Sequence, residues 1–112
     1  MRGIGAVRLT KYRNTPVIVE GVSYASKKEA RRAGELQLLQ LAGEITDLVA
    51  QPVFPIVING VKVCKYIADA SYKRDGVLIV EDTKSEITRK NPVYRLKNKL
   101  MKAVHGIDIK EV

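Results

Sequence analysis

The chain reads as an α+β domain, in the wider α/β class. A helix, a three-stranded meander, a second helix and a closing strand would form a mixed sheet flanked by helices. Three observations carry that expectation. Asn59-Gly60 and Asp75-Gly76 are two-residue hairpin signals, because both central positions of a type I′ turn take positive φ, which Asn, Asp and Gly tolerate. Two stretches, Ser26 to Gly43 and Asn91 to Gly106, carry helix start and stop signals. Between them the residues are β-branched, aromatic and alternating.

Taken in order, residues 1–15 form a basic arm with Arg2, Arg8, Lys11 and Arg13 and glycines at 3 and 5, expected to be flexible; residues 16–112 form the single domain. Pro16 to Tyr24 reads as a short hairpin turning near Glu20-Gly21, an edge element because of Pro16. Ser26-Lys27-Lys28-Glu29 is a capping box, in which Ser26 takes the Glu29 amide and Glu29 reaches back to the Ser26 amide. The helix runs to about Ala42 and stops at Gly43, with Ala30, Ala33, Leu36, Leu38, Leu39 and Leu41 making its later turns apolar. Gly34 costs about 1 kcal/mol there relative to Ala, so it is expected at a close packing contact.

Glu44 to Asn59 becomes a strand interrupted by Pro52 and Pro55. Val61–Lys73 and Val77–Lys84 complete the meander. Ser85 to Asn91 reads as a polar, mobile loop. Pro92 then opens a helix to about His105 with Val93, Leu96, Leu100 and Val104 as its apolar stripe. Gly106 ends it, and Ile107-Asp108-Ile109 alternates as a last strand.

The second hairpin carries the chemistry. With a two-residue turn Arg74 faces Val77, and counting outward places Asp69 directly opposite Asp82 in a close, non-hydrogen-bonded pair, Cα atoms about 4.5 Å apart. Lys84, two residues on, shares that face. Opposed aspartates destabilise a sheet by about 0.2–1 kcal/mol. A divalent cation between them would relieve this, and Mg²⁺ typically takes one or two carboxylates plus waters. Lys84 alone, or a solvated polar face, is the plainer explanation.

Net charge is +8, unevenly spread. Residues 1–32 carry eight Lys/Arg and two acids, residues 33–83 four and seven, and residues 84–112 eight and three. Basic ends around an acidic centre suit a phosphate-binding surface around a carboxylate site. No run of about 18 apolar residues is present, so no membrane span is expected. The start has no apolar core of a signal peptide, and a cytoplasmic location follows as the expectation. The single Cys64 allows no internal disulfide and is expected to pack in a strand.

The order helix, meander, helix, strand, with Asp69 in YIAD and Asp82-Thr83-Lys84 in VEDTK, resembles the core of the PD-(D/E)xK nuclease superfamily. YASKKEARR, LVAQPVF, YIADASY, VLIVEDTKS and VYRLKNKLMKAVHGIDIKEV also resemble a family of small phage-encoded proteins in that superfamily, generally unassigned in function, over about residues 20–112. One departure is Ala68, where the pattern has proline. The resemblance implies a restriction-endonuclease-like αβββαβ core. It implies catalysis by Asp69, Asp82 and Lys84, with Glu29 as the helix acid, and Mg²⁺ or Mn²⁺ bound by Asp69, Asp82 and Glu29.

Glu35 competes for the helix acid, roughly 240° away around the helix, and capping alone also accounts for Glu29. Gln51, Tyr94, Lys97, Arg31 and Arg32 are candidate substrate contacts, with a solvated face as their plainer explanation. His105, near a helix end, reads as a cap. Glu81 points away from Asp82's face. The implied activity is endonucleolytic hydrolysis of DNA, with branched intermediates of the Holliday-junction kind as substrate and a homodimer if two symmetric cuts are made. The alternatives are a non-catalytic nucleic-acid-binding module of the same fold and a protein-interaction role.

Overall fold

The computed structural model describes residues 17–19 and 22–112. In order the elements are β1 (Val17–Val19), β2 (Val22–Tyr24), α1 (Lys27–Leu41), β3 (Thr46–Ala50), β4 (Val53–Ile58), β5 (Val61–Ile67), β6 (Ala70–Arg74), β7 (Val77–Asp82), α2 (Glu86–Arg89), α3 (Pro92–Leu100) and β8 (Ile109–Glu111). β3, β6, β7 and β8 form a four-stranded mixed sheet in that spatial order, with β8 parallel to β7 and the other pairs antiparallel. The fold is therefore mixed α+β, with helices flanking the sheet, as the residue patterns predict. The basic arm expected at 1–15 lies outside the described residues, while β1 and β2 pair as the expected small hairpin.

Both Asx-Gly turns form as the sequence implies: Asn59 and Gly60 have φ of 51° and 78°, and Asp75 and Gly76 have 53° and 78°. The meander is bent rather than flat. β3 with β4, and β5 with β6, are each one extended run broken midway. The same register runs from Ala50 opposite Ala70 to Val53 opposite Ile67. The bend is bridged by Gln51 N–H to the Asp69 carbonyl (2.9 Å) and Ala68 N–H to the Pro52 carbonyl (3.1 Å). Pro52 cannot donate to a ladder, and Gln51 takes φ of 51°, so the ribbon β4–β5 leaves the sheet there.

The sheet separates two apolar clusters. Ile56, Tyr66, Ala68, Val80, Tyr94 and Met101 pack on the side of α3. Leu36, Ile45, Ala70 and Tyr72 pack on the side of α1. Cys64 joins the first cluster from β5, as expected of a small apolar residue in a strand.

Four local expectations need correction. Gly34 meets no heavy atom within 4 Å of where a Cβ would sit, so it marks no close contact. Residues 85–91 are not an open loop: Ser85 caps the short helix α2 by accepting from the Thr88 amide (3.2 Å). Val93 and Leu96 are 61% and 57% exposed, and the helix instead buries Tyr94 and Met101. Tyr94 and Met101 are seven residues apart, about two α-helical turns, so the face that meets the core lies one residue over from Val93. Leu100 and Val104 of the expected stripe do pack against that cluster, and a π-helical turn, Met101–His105, closes the helix before Gly106 ends it at φ 68°. Leu38 and Leu41, on the apolar half of α1, are likewise exposed.

Candidate functional site

The Asp75-Gly76 turn sets the predicted register. Arg74 faces Val77 and Ala70 faces Glu81, so Asp69 and Asp82 lie at the next position outward. At that position the ladder breaks. The Asp69 amide donates to the Glu81 carbonyl (3.2 Å), so Asp69 and Ala70 both face Glu81, as in a β-bulge. A bulge re-aims side chains. Asp69 lines a small cleft with Tyr24, Glu29, Arg32 and Leu36 on the α1 side. Asp82 stays with the regular alternation and is fully buried on the α3 side. The expectation of two carboxylates across one face is thus modified, with the bulge as the reason.

The two aspartates still grip each other's backbone. Asp82 Oδ1 accepts from the Asp69 amide at 2.8 Å, and Asp69 Oδ2 accepts from the Thr83 amide at 2.7 Å. Asp82 Oδ2 accepts from the Tyr66 hydroxyl. Burial pushes the Asp82 carboxyl up to about 6, against the lowering effect of Lys84 and the Asp69 N–H; Glu111 adds a small raising effect. Lys84 Nζ is 3.8 Å from Asp82 Oδ1 and 5.5 Å from the centroid of the Tyr94 ring.

Glu29 stands where α1 begins. Ser26 Oγ accepts from the Glu29 amide at 3.2 Å, so that half of the capping box forms. The Glu29 carboxylate meets the Ser26 hydroxyl (3.4 Å) rather than reaching the Ser26 amide, and it faces Asp69. Its carboxyl is held above the usual range, first by burial and then by the negative charge of Asp69, with Lys84 and Ser26 pulling the other way. Glu29, Asp69 and Lys84 are therefore within electrostatic reach of one another. A cleft of about 350 Å³ opens beside them, lined by Ser26, Lys28, Glu29, Thr83, Lys84 and Thr88 among others. Among the described residues no three His, Cys, Asp or Glu side chains converge as a ready-made ligand set.

The remaining candidates separate. Glu35 is an exposed partner of Arg32 (3.1 Å) and stays out of the cleft beside Glu29 and Lys84. Arg32 is committed elsewhere: its Nε donates to Glu81 Oε1 at 2.7 Å and Nη2 to Oε2 at 3.1 Å, while the Tyr72 hydroxyl also donates to Glu81 (2.7 Å). Glu81 thus faces opposite to Asp82, as expected. Burial alone would raise its carboxyl, but Arg32 and Tyr72 hold it below the usual range. Arg31 is exposed. Gln51 sits at the bend, its Nε2 donating to the Ser23 carbonyl (2.6 Å). Tyr94 is buried and donates to Glu111 (2.5 Å), and Lys97 Nζ donates to the Lys65 carbonyl (3.1 Å), so the two do not form one phosphate-facing pair. His105 Nε2 lies 2.8 Å from the Pro55 carbonyl, a structural role.

Tyr66 and Thr83 were not singled out from sequence. Thr83 occupies the unspecified position of Asp-x-Lys and acts through its amide, which leaves no side-chain signal. Tyr66 lies across the bend from its partner, and only the three-dimensional bend brings them together.

Fold and site together define a small α+β domain with Glu29 and Lys84 at one cleft and Asp69 in the smaller cleft beside it. The chain belongs to the family described as protein of unknown function (DUF1064), whose model matches residues 9–110. No curated protein and no solved structure matches it. No helix among the described residues is long and apolar enough to cross a membrane.

Proposed function

We propose that this protein is a metal-dependent endonuclease of the PD-(D/E)xK kind, hydrolysing phosphodiester bonds in branched or recombining phage DNA. The observation that carries the reading is geometric: Glu29 and Lys84 line one cleft, and Glu29 also lines the small adjoining cleft that holds Asp69, the two sharing Thr83. That donor set fits a hard divalent cation. Two adjacent carboxylates, only partly neutralised by Lys84, match the one or two that Mg²⁺ takes while keeping several waters. Asp69 and Glu29 would hold Mg²⁺ or Mn²⁺, with Asp82 beside them. When bound, such an ion activates a water and polarises the phosphoryl oxygens.

The chain's own residues supply the rest. The reciprocal hydrogen bonds of Asp69 and Asp82 to each other's strand fix the Asp69 carboxylate in place. Lys84, anchored by Asp82 and the Tyr94 ring, presents a cation where negative charge develops on phosphorus-bound oxygen. Resolution of a four-way junction by paired cuts calls for two copies related by a two-fold axis.

The test is cleavage of supercoiled plasmid and a synthetic four-way junction with Mg²⁺, with Mn²⁺ and with chelator. Metal-dependent cutting is expected, with kcat lowered about 100-fold or more in Asp69→Asn and in Lys84→Met. A second reading, a non-catalytic nucleic-acid-binding module, is favoured by one observation: both Asp82 oxygens are already engaged in buried hydrogen bonds. Salt-sensitive binding without cutting in any metal would select it.

A further inference from the structure

We infer that a second cleft, beside the one just described, is a subsite for the neighbouring phosphate of the same nucleic-acid strand. The inference rests on the nucleic-acid reading of the first cleft. The second cleft, of about 310 Å³, is lined by Lys28, Arg31, Arg32, Glu35, Thr83 and Val112. It shares Lys28 and Thr83 with the first.

Two independent observations assign it an anion. The first is its charge. Arg32 is shared between Glu81 and Glu35, one guanidinium against two carboxylates, so the positive surplus of the lining comes from Lys28 and Arg31, with one acid charge set against them. Lys28 and Arg31 have no ion-pair partner among the described residues, and both are exposed. Two cations without an ion-pair partner, one helical turn apart on α1, therefore border the cleft and leave it net positive. The second observation is Thr83. Its residue is 8% exposed, and its Oγ1 is buried with no hydrogen-bond partner among the described residues. An unmet buried hydroxyl is costly unless something fills the need. Thr83 is part of the wall of both clefts, and its hydroxyl, closed off behind that wall, would meet a phosphate oxygen by a side-chain rotation toward either cleft. A ligand that places negative charges on both sides of a shared wall is a chain of regularly spaced phosphates. A single phosphomonoester would fill only one cleft.

The experiment measures binding apart from cleavage. Fluorescence anisotropy of labelled single-stranded and junction DNA is followed in chelator over a salt series, for wild type, Lys28→Ala, Arg31→Ala, Thr83→Val and the control Arg74→Ala at the far end of the β6–β7 hairpin. Expected are a fall of roughly one in the log–log salt slope for Lys28→Ala and for Arg31→Ala, with about tenfold weaker binding at low salt. Thr83→Val should bind about threefold to tenfold more weakly while its urea midpoint rises, because the unmet hydroxyl is gone. Arg74→Ala should match wild type. In metal, Lys28→Ala and Arg31→Ala should raise KM with kcat little changed.

If Lys28→Ala and Arg31→Ala bind like wild type, or if Arg74→Ala loses as much as they do, the subsite is wrong even where metal-dependent cleavage persists. If wild type cuts nothing yet the slopes fall as expected, the nuclease reading fails and the subsite stands. Absence of any binding removes both.

Discussion

Glu81 and Asp82 are neighbours on one strand whose carboxyls are shifted in opposite directions. Arg32 and Tyr72 hold Glu81 ionised in spite of burial, whereas burial pushes Asp82 up to about 6. The signs set a pH window. Asp82 binds its proton more tightly folded than unfolded, so its contribution is fully present below its ordinary value of 3.8 and is lost as pH rises through about 6. Glu81 does the reverse: its contribution is present above 4.5 and is lost as pH falls through its lowered folded value. In chelator, stability should therefore fall between about pH 4 and 6, by on the order of 2–3 kcal/mol, with Glu81 offsetting part of it below 4.5. Asp82→Asn should flatten that fall while leaving the acid limb. Urea titrations at several pH values check it. A wild-type profile that is level over this range, and unaffected by Asp82→Asn, would remove the buried, proton-binding carboxyl from the site.

At the scale of elements, most of what local chemistry controls was legible. The two Asx-Gly turns, the Ser26 and Asn91 caps and the stops at Gly43 and Gly106 act over a few residues, and each forms where the sequence puts it. Those turns also fixed the hairpin register from numbering alone. The misses have a different physical origin. The re-aiming of Asp69 comes from the bulge at the bend, where the Gln51 and Asp69 backbones meet across strands. The inward face of α3 runs through Tyr94 and Met101, an amphipathic ring and a thioether that a stripe drawn through Val93 and Leu96 passes over. Those corrections set three stability predictions. Gly34→Ala enters open space within a helix and should stabilise by up to about 1 kcal/mol. Leu96→Gln, on the exposed side, should change stability by no more than about 0.5 kcal/mol. Met101→Ala, in contrast, should cost about 2–5 kcal/mol. Urea midpoints of the three variants decide; a large loss from Leu96→Gln would restore the simple apolar stripe.

Across the whole molecule, one sheet serves two cores, and its ends carry the chemistry. The α1 cluster centres on Leu36 and Tyr72, the α3 cluster on Val80 and Met101, and Ile79 and Val80 project to opposite sides of the same strand. Because β7 belongs to both, neither side can melt while the other keeps its sheet, and unfolding should be a single transition. Leu36→Ala and Met101→Ala remove fully buried side chains from separate clusters on opposite sides of the sheet, so their losses, about 2–5 kcal/mol each, should add to within about 0.5 kcal/mol. The double variant would then lose a large share of a stability that is on the order of 5–15 kcal/mol for a small domain. It should be substantially unfolded near the upper end of that loss. Equilibrium denaturation followed by tyrosine fluorescence and by far-ultraviolet circular dichroism measures both quantities. Coincident single transitions with additive shifts support one cooperative sheet. Two separated transitions would mean that the α1 side, which carries Glu29, Lys28 and Arg31, folds and unfolds apart from the strand that ends at Asp82 and leads into Lys84.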